Sequence, residues 1–162
     1  MKTLIIVRHA KSSWDYDVID HERPLAPRGE SDAKLVSEDL KLKLSPPDLI
    51  LCSDAKRTRA TAHIFLKNLN FNEDAMLLNH DLYDFAGYNF LEVIKSCNNS
   101  VNTLMVFGHN HAITDFVNTF GDKPVENVPT SGTIILEFDI AKWNDLKPGK
   151  MLLSVFPRDL KS

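Results

Sequence analysis

Apolar positions along this chain follow two rhythms. Short apolar runs occur at Thr3-Leu4-Ile5-Ile6-Val7, the first rich in β-branched residues, at Asp48-Leu49-Ile50-Leu51-Cys52 and at residues 102–107. That pattern predicts strands buried on both faces of a parallel sheet. Between them the spacing turns helical. Gly29 precedes a predicted helix from about Glu30 to Leu44, with Ala33, Leu40 and Leu44 on one face and Pro46-Pro47 beyond its end. Ala55, Thr58, Ala62, Phe65, Leu66 and Leu69 share the face of a second, with Ser53 or Asp54 as its expected cap. Tyr88 to Ser96, with Leu91 and Ile94 inward, and Asn110 to Phe120, ended by Gly121, complete the helices. Residues 75–78, Thr133 to Phe138 and Met151 to Phe156 read as further strands. Alternation of strand and helix predicts one α/β domain over residues 1–162, a three-layer α/β/α sandwich with a mostly parallel central sheet.

Composition narrows the function. A chain of 162 residues buries roughly two thirds of its unfolded surface and needs no disulfide or metal to hold together. A net charge of −3 argues against a nucleic-acid binder and against a basic membrane-surface protein. Cys52 and Cys97 lack any ligand-like spacing and are expected to be reduced thiols. The apolar run before Arg8 is too short for a signal peptide or a membrane span, so a cytoplasmic location is expected.

Against this acidic background stands a cationic cluster. Arg8-His9 follows the first strand, Arg57 lies just past the second, and His109 comes two residues after the run ending at Phe107. In a parallel sheet these strand ends share one edge, and ligands bind in the crevice outside it. No carboxylate is obviously placed to neutralise the cluster, so an anion is expected to fill it, and phosphate fits best. Arg57, in the first turn of its helix, adds the helix N-terminus to that preference. His9 is the candidate nucleophile. A neutral imidazole nitrogen can attack phosphorus, and neighbouring arginines lower its pKa and keep that nitrogen free. The arginines supply the charge neutralisation, so no metal and no cofactor are expected.

Three blocks carry a family resemblance: Leu4 to Ala10, Ser53 to Ala62 and Val106 to Asn110. In this order they resemble the signature blocks of the histidine phosphatase superfamily, with the phosphoglycerate mutase-like fold. Arg8 to Ser12, the loop Asp20 to Leu25 followed by Gly29, and Leu82-Tyr83 are similar to its short phosphohistidine phosphatase (SixA-like) branch. The resemblance implies His9 as the phosphorylated nucleophile. It implies Arg8, Arg57 and His109 as phosphoryl-binding groups, with Arg23 a further phosphate contact. Many members place a Glu or Asp as general acid for an oxygen leaving group. Here Tyr83 falls near that place, with Asp84 beside it. A weak acid handicaps an alkoxide leaving group more than an imidazole, so a phosphorus–nitrogen substrate is expected. The expected partner is a phosphorylated protein, such as a phosphohistidine-carrying signalling domain, or a small phosphorylated molecule.

Two other readings compete. One is a small-molecule phosphomonoesterase with Asp84 as acid; the other is a non-catalytic phosphoprotein-binding module. Arg59 is expected to be solvated, since it points about 200° from Arg57 on a helix. His109 and His111 do not face each other as a metal pair would. His21, His63 and His80 show no partner pattern and are expected to be surface or loop residues. Trp14 and Tyr16 are expected to pin the 12–27 loop.

Overall fold

The computed structural model describes residues 1–161. Among the described residues, six strands form one sheet in the order β3-β2-β4-β1-β5-β6. They are β1 (Lys2–Arg8), β2 (Leu49–Cys52), β3 (Met76–Leu78), β4 (Thr103–Gly108), β5 (Thr133–Phe138) and β6 (Lys150–Val155). The first four pair in parallel, and only β5 runs against the rest, because β6 is antiparallel to β5 in turn. The helices are α1 (Pro27–Leu40), α2 (Lys56–Leu69), α3 (Tyr88–Lys95), α4 (Ala112–Phe120) and the single turn α5 (Pro157–Leu160).

The continuous apolar runs have a direct cause. In β1, Leu4 and Ile6 face one core with Phe90, Ile113, Phe116 and Trp143, while Ile5 and Val7 face another with Ala33, Val36 and Phe65. Both sheet faces are covered by helices, so strand residues of either parity are apolar. This is the expected three-layer α/β/α sandwich.

Several boundaries differ from the sequence expectation. Helix α1 begins at Pro27, whose fixed φ and missing N–H suit a first helical position, and it ends at Leu40 rather than Leu44. Helix α4 begins at Ala112 rather than Asn110. Phe90, not Leu91, joins Ile94 as the buried residue of α3. Neither Ser53 nor Asp54 caps α2, whose N-cap is Ala55 with no side-chain bond; both side chains are engaged elsewhere. Gly29 sits where a Cβ would overlap the Lys11 carbonyl, so the 12–27 loop can lie directly on α1. The loop is tied down by Ala26 N–H donating to Lys11 O at 2.9 Å and by the antiparallel bridge of Ser12 with Leu25.

Candidate active site

The sheet register brings the three signature segments to one edge. Arg8 stands opposite Gly108 and Cys52 opposite Phe107, so β1, β2 and β4 end at one level. The next residues, His9, Ser53 and His109, leave that edge together. His9 and His109 lie with ring centroids 5.1 Å apart, and both are buried.

His9 is oriented by its own neighbour. Its Nδ1 lies 2.7 Å from the carbonyl oxygen of Ala10, which only accepts, so Nδ1 carries the proton. Nε2 is therefore the unprotonated nitrogen, with its lone pair free. The backbone around it is fixed by His9 N–H donating to Gly108 O, Ser131 N–H donating to the His9 carbonyl, and Ala10 N–H donating to Thr61 Oγ1. Burial lowers the His9 pKa to about 3, with Arg57, Arg8 and Arg23 adding to the shift and the Ala10 bond opposing it. The ring is neutral at physiological pH.

His109 has the complementary protonation. Its Nε2 meets Ser53 Oγ at 2.8 Å and Thr58 Oγ1 at 3.3 Å. Ser53 Oγ already accepts from Ala55 N–H, and its own proton has Nε2 as acceptor. Nδ1 then bears hydrogen, and it is buried with no partner among the described residues. Burial, followed by His9 and Arg57, lowers the His109 pKa to about 2, so this ring too is neutral.

Three cations surround the pair. Arg8 gives one Nη1 bond to Val128 O at 2.8 Å, and its buried Nε has no acceptor among the described residues. Arg57 Nε is likewise buried and unsatisfied. Arg23 is held by Ser13 O and Ser12 Oγ, and the Trp14 ring lies 3.2 Å from its guanidinium. Trp14 thus pins the loop through an arginine of the site itself, whereas Tyr16, expected to do the same, is exposed.

The expectation that no carboxylate serves the cluster is overturned. Asp20, in a single 3-10 turn at Asp20–Glu22, accepts from Arg23 Nη1 and from Arg57 Nη2, each at 3.0 Å, and from the Tyr83 hydroxyl. Burial pushes its pKa up, but those three bonds more than offset this, leaving it well below the usual carboxylate range. The site thus holds three guanidiniums, one carboxylate and two neutral imidazoles. Its balance of two positive charges matches a phosphate dianion. Asp20 lies in an irregular segment, so no sequence period signalled this residue.

Tyr83 reaches the site: its ring lies 5.4 Å from that of His109 and 6.0 Å from the Arg57 guanidinium. Burial and the hydrogen bond to Asp20 raise its pKa, so it stays a neutral phenol. Asp84 does not reach it as an acid would. Its carboxylate accepts from the N–H groups of Ala86, Gly87 and Phe90 and closes the turn into α3. Arg59 is exposed and donates to Asp54 O, as its helical phase predicts. His21, His63 and His80 lie in loops or on the surface but do have partners: His21 and His80 both pair with Asp54, and His63 pairs with Glu73. Sequence reasoning also missed Ser53 and Thr58 as the groups that orient His109. Thr58, a hydroxyl among the apolar residues of the inward face of α2, and Ser53, the first residue past β2, were the available hints.

Comparison with known proteins gives the family. The model of the histidine phosphatase superfamily (branch 1) matches residues 4–104. An uncharacterized protein of Mycobacterium tuberculosis is 33% identical over 153 residues, covering 88% of this chain and 93% of its own length. A chloroplast protein of Arabidopsis thaliana is 34% identical over 122 residues, 67% of this chain and 54% of that protein. Among solved structures, a candidate phosphohistidine phosphatase SixA from Nakamurella multipartitia superposes with a TM-score of 0.81 at 23% identity, over 96% of both chains. The protein histidine phosphatase SixA in complex with tungstate superposes with a TM-score of 0.78 at 19% identity, over 98% of this chain and 99% of that one. The chain belongs to the histidine phosphatase superfamily. Its activity class is phosphoryl hydrolysis.

Proposed function

We propose that the protein hydrolyses protein phosphohistidine through a phosphoryl group carried on His9 Nε2. The observation that carries this reading is a set of buried donors with nothing to bond. Among the described residues, Arg8 Nε, Arg57 Nε and His109 Nδ1 all lack acceptors, beside a nitrogen whose lone pair is free. Leaving such donors unpaired costs about 1–3 kcal/mol each, a loss that a bound phosphoryl oxygen removes. In the first step Nε2 attacks phosphorus and the bond to the leaving group breaks. The guanidiniums and the His109 N–H hold the equatorial oxygens, where negative charge gathers in the transition state. Water then attacks phospho-His9, the P–N bond to Nε2 breaks, and inorganic phosphate leaves. These groups supply the charge neutralisation, so the reaction needs no metal.

The substrate preference follows from the proton donors. Asp20 is ionised and bonded three times, Asp84 is bound to backbone, and Tyr83 is a weak acid whose proton points at Asp20. None offers a ready proton to a departing alkoxide. Imidazole takes its proton from water and leaves without such help. The occupied Asp84 disfavours the phosphomonoesterase reading, and the free nucleophile on His9 disfavours a purely binding module. The SixA structures that share this fold support the choice of phosphohistidine. The test is the single-turnover rate of His9 phosphorylation from phosphohistidine or phosphoramidate against an alkyl phosphate. Much faster transfer from the P–N donors is expected. Equal rates, with the alkyl phosphate rate lost in Asp84→Asn, would make this a phosphomonoesterase.

A further inference from the structure

Outside the reacting groups, three side chains from separate segments converge on one point. His21 Nε2 lies 2.9 Å from Asp54 Oδ1, and His80 Nδ1 lies 3.0 and 2.9 Å from the two oxygens of the same carboxylate. One donor atom from each residue falls within 4.8 Å of the others. We propose that His21, Asp54 and His80 form a binding site for a zinc-like divalent cation at the rim of the active site.

The chemistry of the set favours this class of ion. Two imidazoles and one carboxylate are the donors zinc takes, and Zn–N and Zn–O bonds of about 2.0–2.2 Å put tetrahedral ligand atoms roughly 3.3 Å apart. The two imidazole–carboxylate separations need only a small outward shift, and the two imidazole nitrogens already stand no more than 4.8 Å apart. A second observation is independent of the cluster's own bonds. The remaining nitrogen of His21, Nδ1, meets Glu22 Oε1 at 3.2 Å. A carboxylate on the far nitrogen is the arrangement that fixes the tautomer and orientation of a metal-binding histidine. Other neighbours leave an approach open. The Tyr83 ring stands perpendicular to that of His21 with centroids 4.9 Å apart, and the nearby cation Arg59 binds the Asp54 carbonyl rather than its carboxylate. The His80 side chain is 71% exposed, so an ion can enter and keep a water as its fourth ligand.

The placement gives the ion a consequence. His21 follows Asp20, Asp54 stands three residues before Arg57, and His80 three before Tyr83. A bound cation would staple together the three segments whose next members are joined by the Asp20 carboxylate. It would lie outside the reacting atoms and would stabilise the site rather than take part in transfer.

The experiment is calorimetric titration of the chelator-treated protein with Zn2+ alone, with thermal unfolding and the visible spectrum of the Co2+ form as parallel readouts. The expected result is one ion per chain, a raised Tm and a tetrahedral Co2+ spectrum. Binding should be lost in His21→Ala and in His80→Ala, the latter an exposed position that leaves the fold intact, and kept in His9→Ala and His63→Ala. Glu22→Gln should weaken it by about tenfold or more. No stoichiometric binding, binding that persists in either His21→Ala or His80→Ala, or binding lost in His9→Ala would overturn the proposal. None of these readouts depends on turnover, so they stand apart from the reading of His9.

Discussion

The Asp20 carboxylate bonds Arg57 at 3.0 Å through one oxygen and Arg23 at 3.0 Å through the other, with Tyr83 donating to it as well. One acceptor thus orients two cations of the candidate site and engages its phenol. Replacing it by Ala leaves those donors short of a partner. Asp20 is 42% exposed, which allows water to replace part of the loss, so destabilisation of about 1–2 kcal/mol is expected in denaturant unfolding. The sign of the pH effect is also set. A carboxylate held low in the folded state stabilises above its unfolded pKa, and that contribution is lost as pH falls from about 4 toward the folded value. Asp20→Asn should therefore flatten the acid side of the stability–pH curve. An unchanged slope would mean the three bonds do not hold in solution.

The histidines give a second pH prediction. Burial lowers His9 to about 3 and His109 to about 2, below the 6.5 of an exposed imidazole. The folded chain stays neutral at both rings while the unfolded chain takes up protons, so stability falls as pH drops below about 6.5. The phosphorylation step should not lose rate between pH 7.5 and 5.5 through protonation of His9. Heteronuclear NMR of the imidazoles should find no titration of His9 above pH 5. A His9 midpoint near 6.5 would remove the explanation for its readiness to attack.

The cations should separate by helix phase. Arg8→Ala and Arg57→Ala should each slow transfer and weaken vanadate binding by about 2–4 kcal/mol, the scale of a lost oxyanion donor. Arg59→Ala, an exposed residue one helical phase away, should change neither. Equal losses at positions 57 and 59 would contradict the assignment of Arg57 to the phosphoryl group.

Chelation should leave transfer intact. If guanidiniums neutralise the developing charge, exhaustive EDTA treatment lowers thermal stability through the rim site yet preserves turnover on phosphoramidate. Loss of turnover restored by a divalent ion would place a metal in the reaction and refute the mechanism.

The elements most legible in the sequence were those set by local rules. Continuous apolar runs marked β1, β2 and β4, because both of their faces are buried, and the strand-end position of Arg8, His9 and His109 followed from parallel topology. The blocks around those residues carried the family. What stayed hidden depends on side-chain direction across loops. Asp20 sits in a single 3-10 turn of an irregular segment, where no periodicity says which way a carboxylate points. Asp54 looked like a cap for α2 but turns instead to His21 and His80, both brought by distant segments. Asp84 looked like an acid until the backbone donors of the turn into α3 took up its oxygens. Ser131 was invisible altogether. It adopts a left-handed φ of 61° and gives its N–H to the carbonyls of Arg8 and His9, a conformation unusual for a residue other than glycine.

The central claim is that His9 carries the phosphoryl group, and its most direct measurement is the phosphorylated enzyme itself. Single turnover with phosphoramidate, quenched in alkali where phosphohistidine survives, should yield one phosphoryl group per chain. Peptide mapping by mass spectrometry should place it on His9 alone, and His9→Ala should give neither the adduct nor turnover. A full rate of phosphate release with no adduct, or an adduct on His109 or any other residue, would contradict the account.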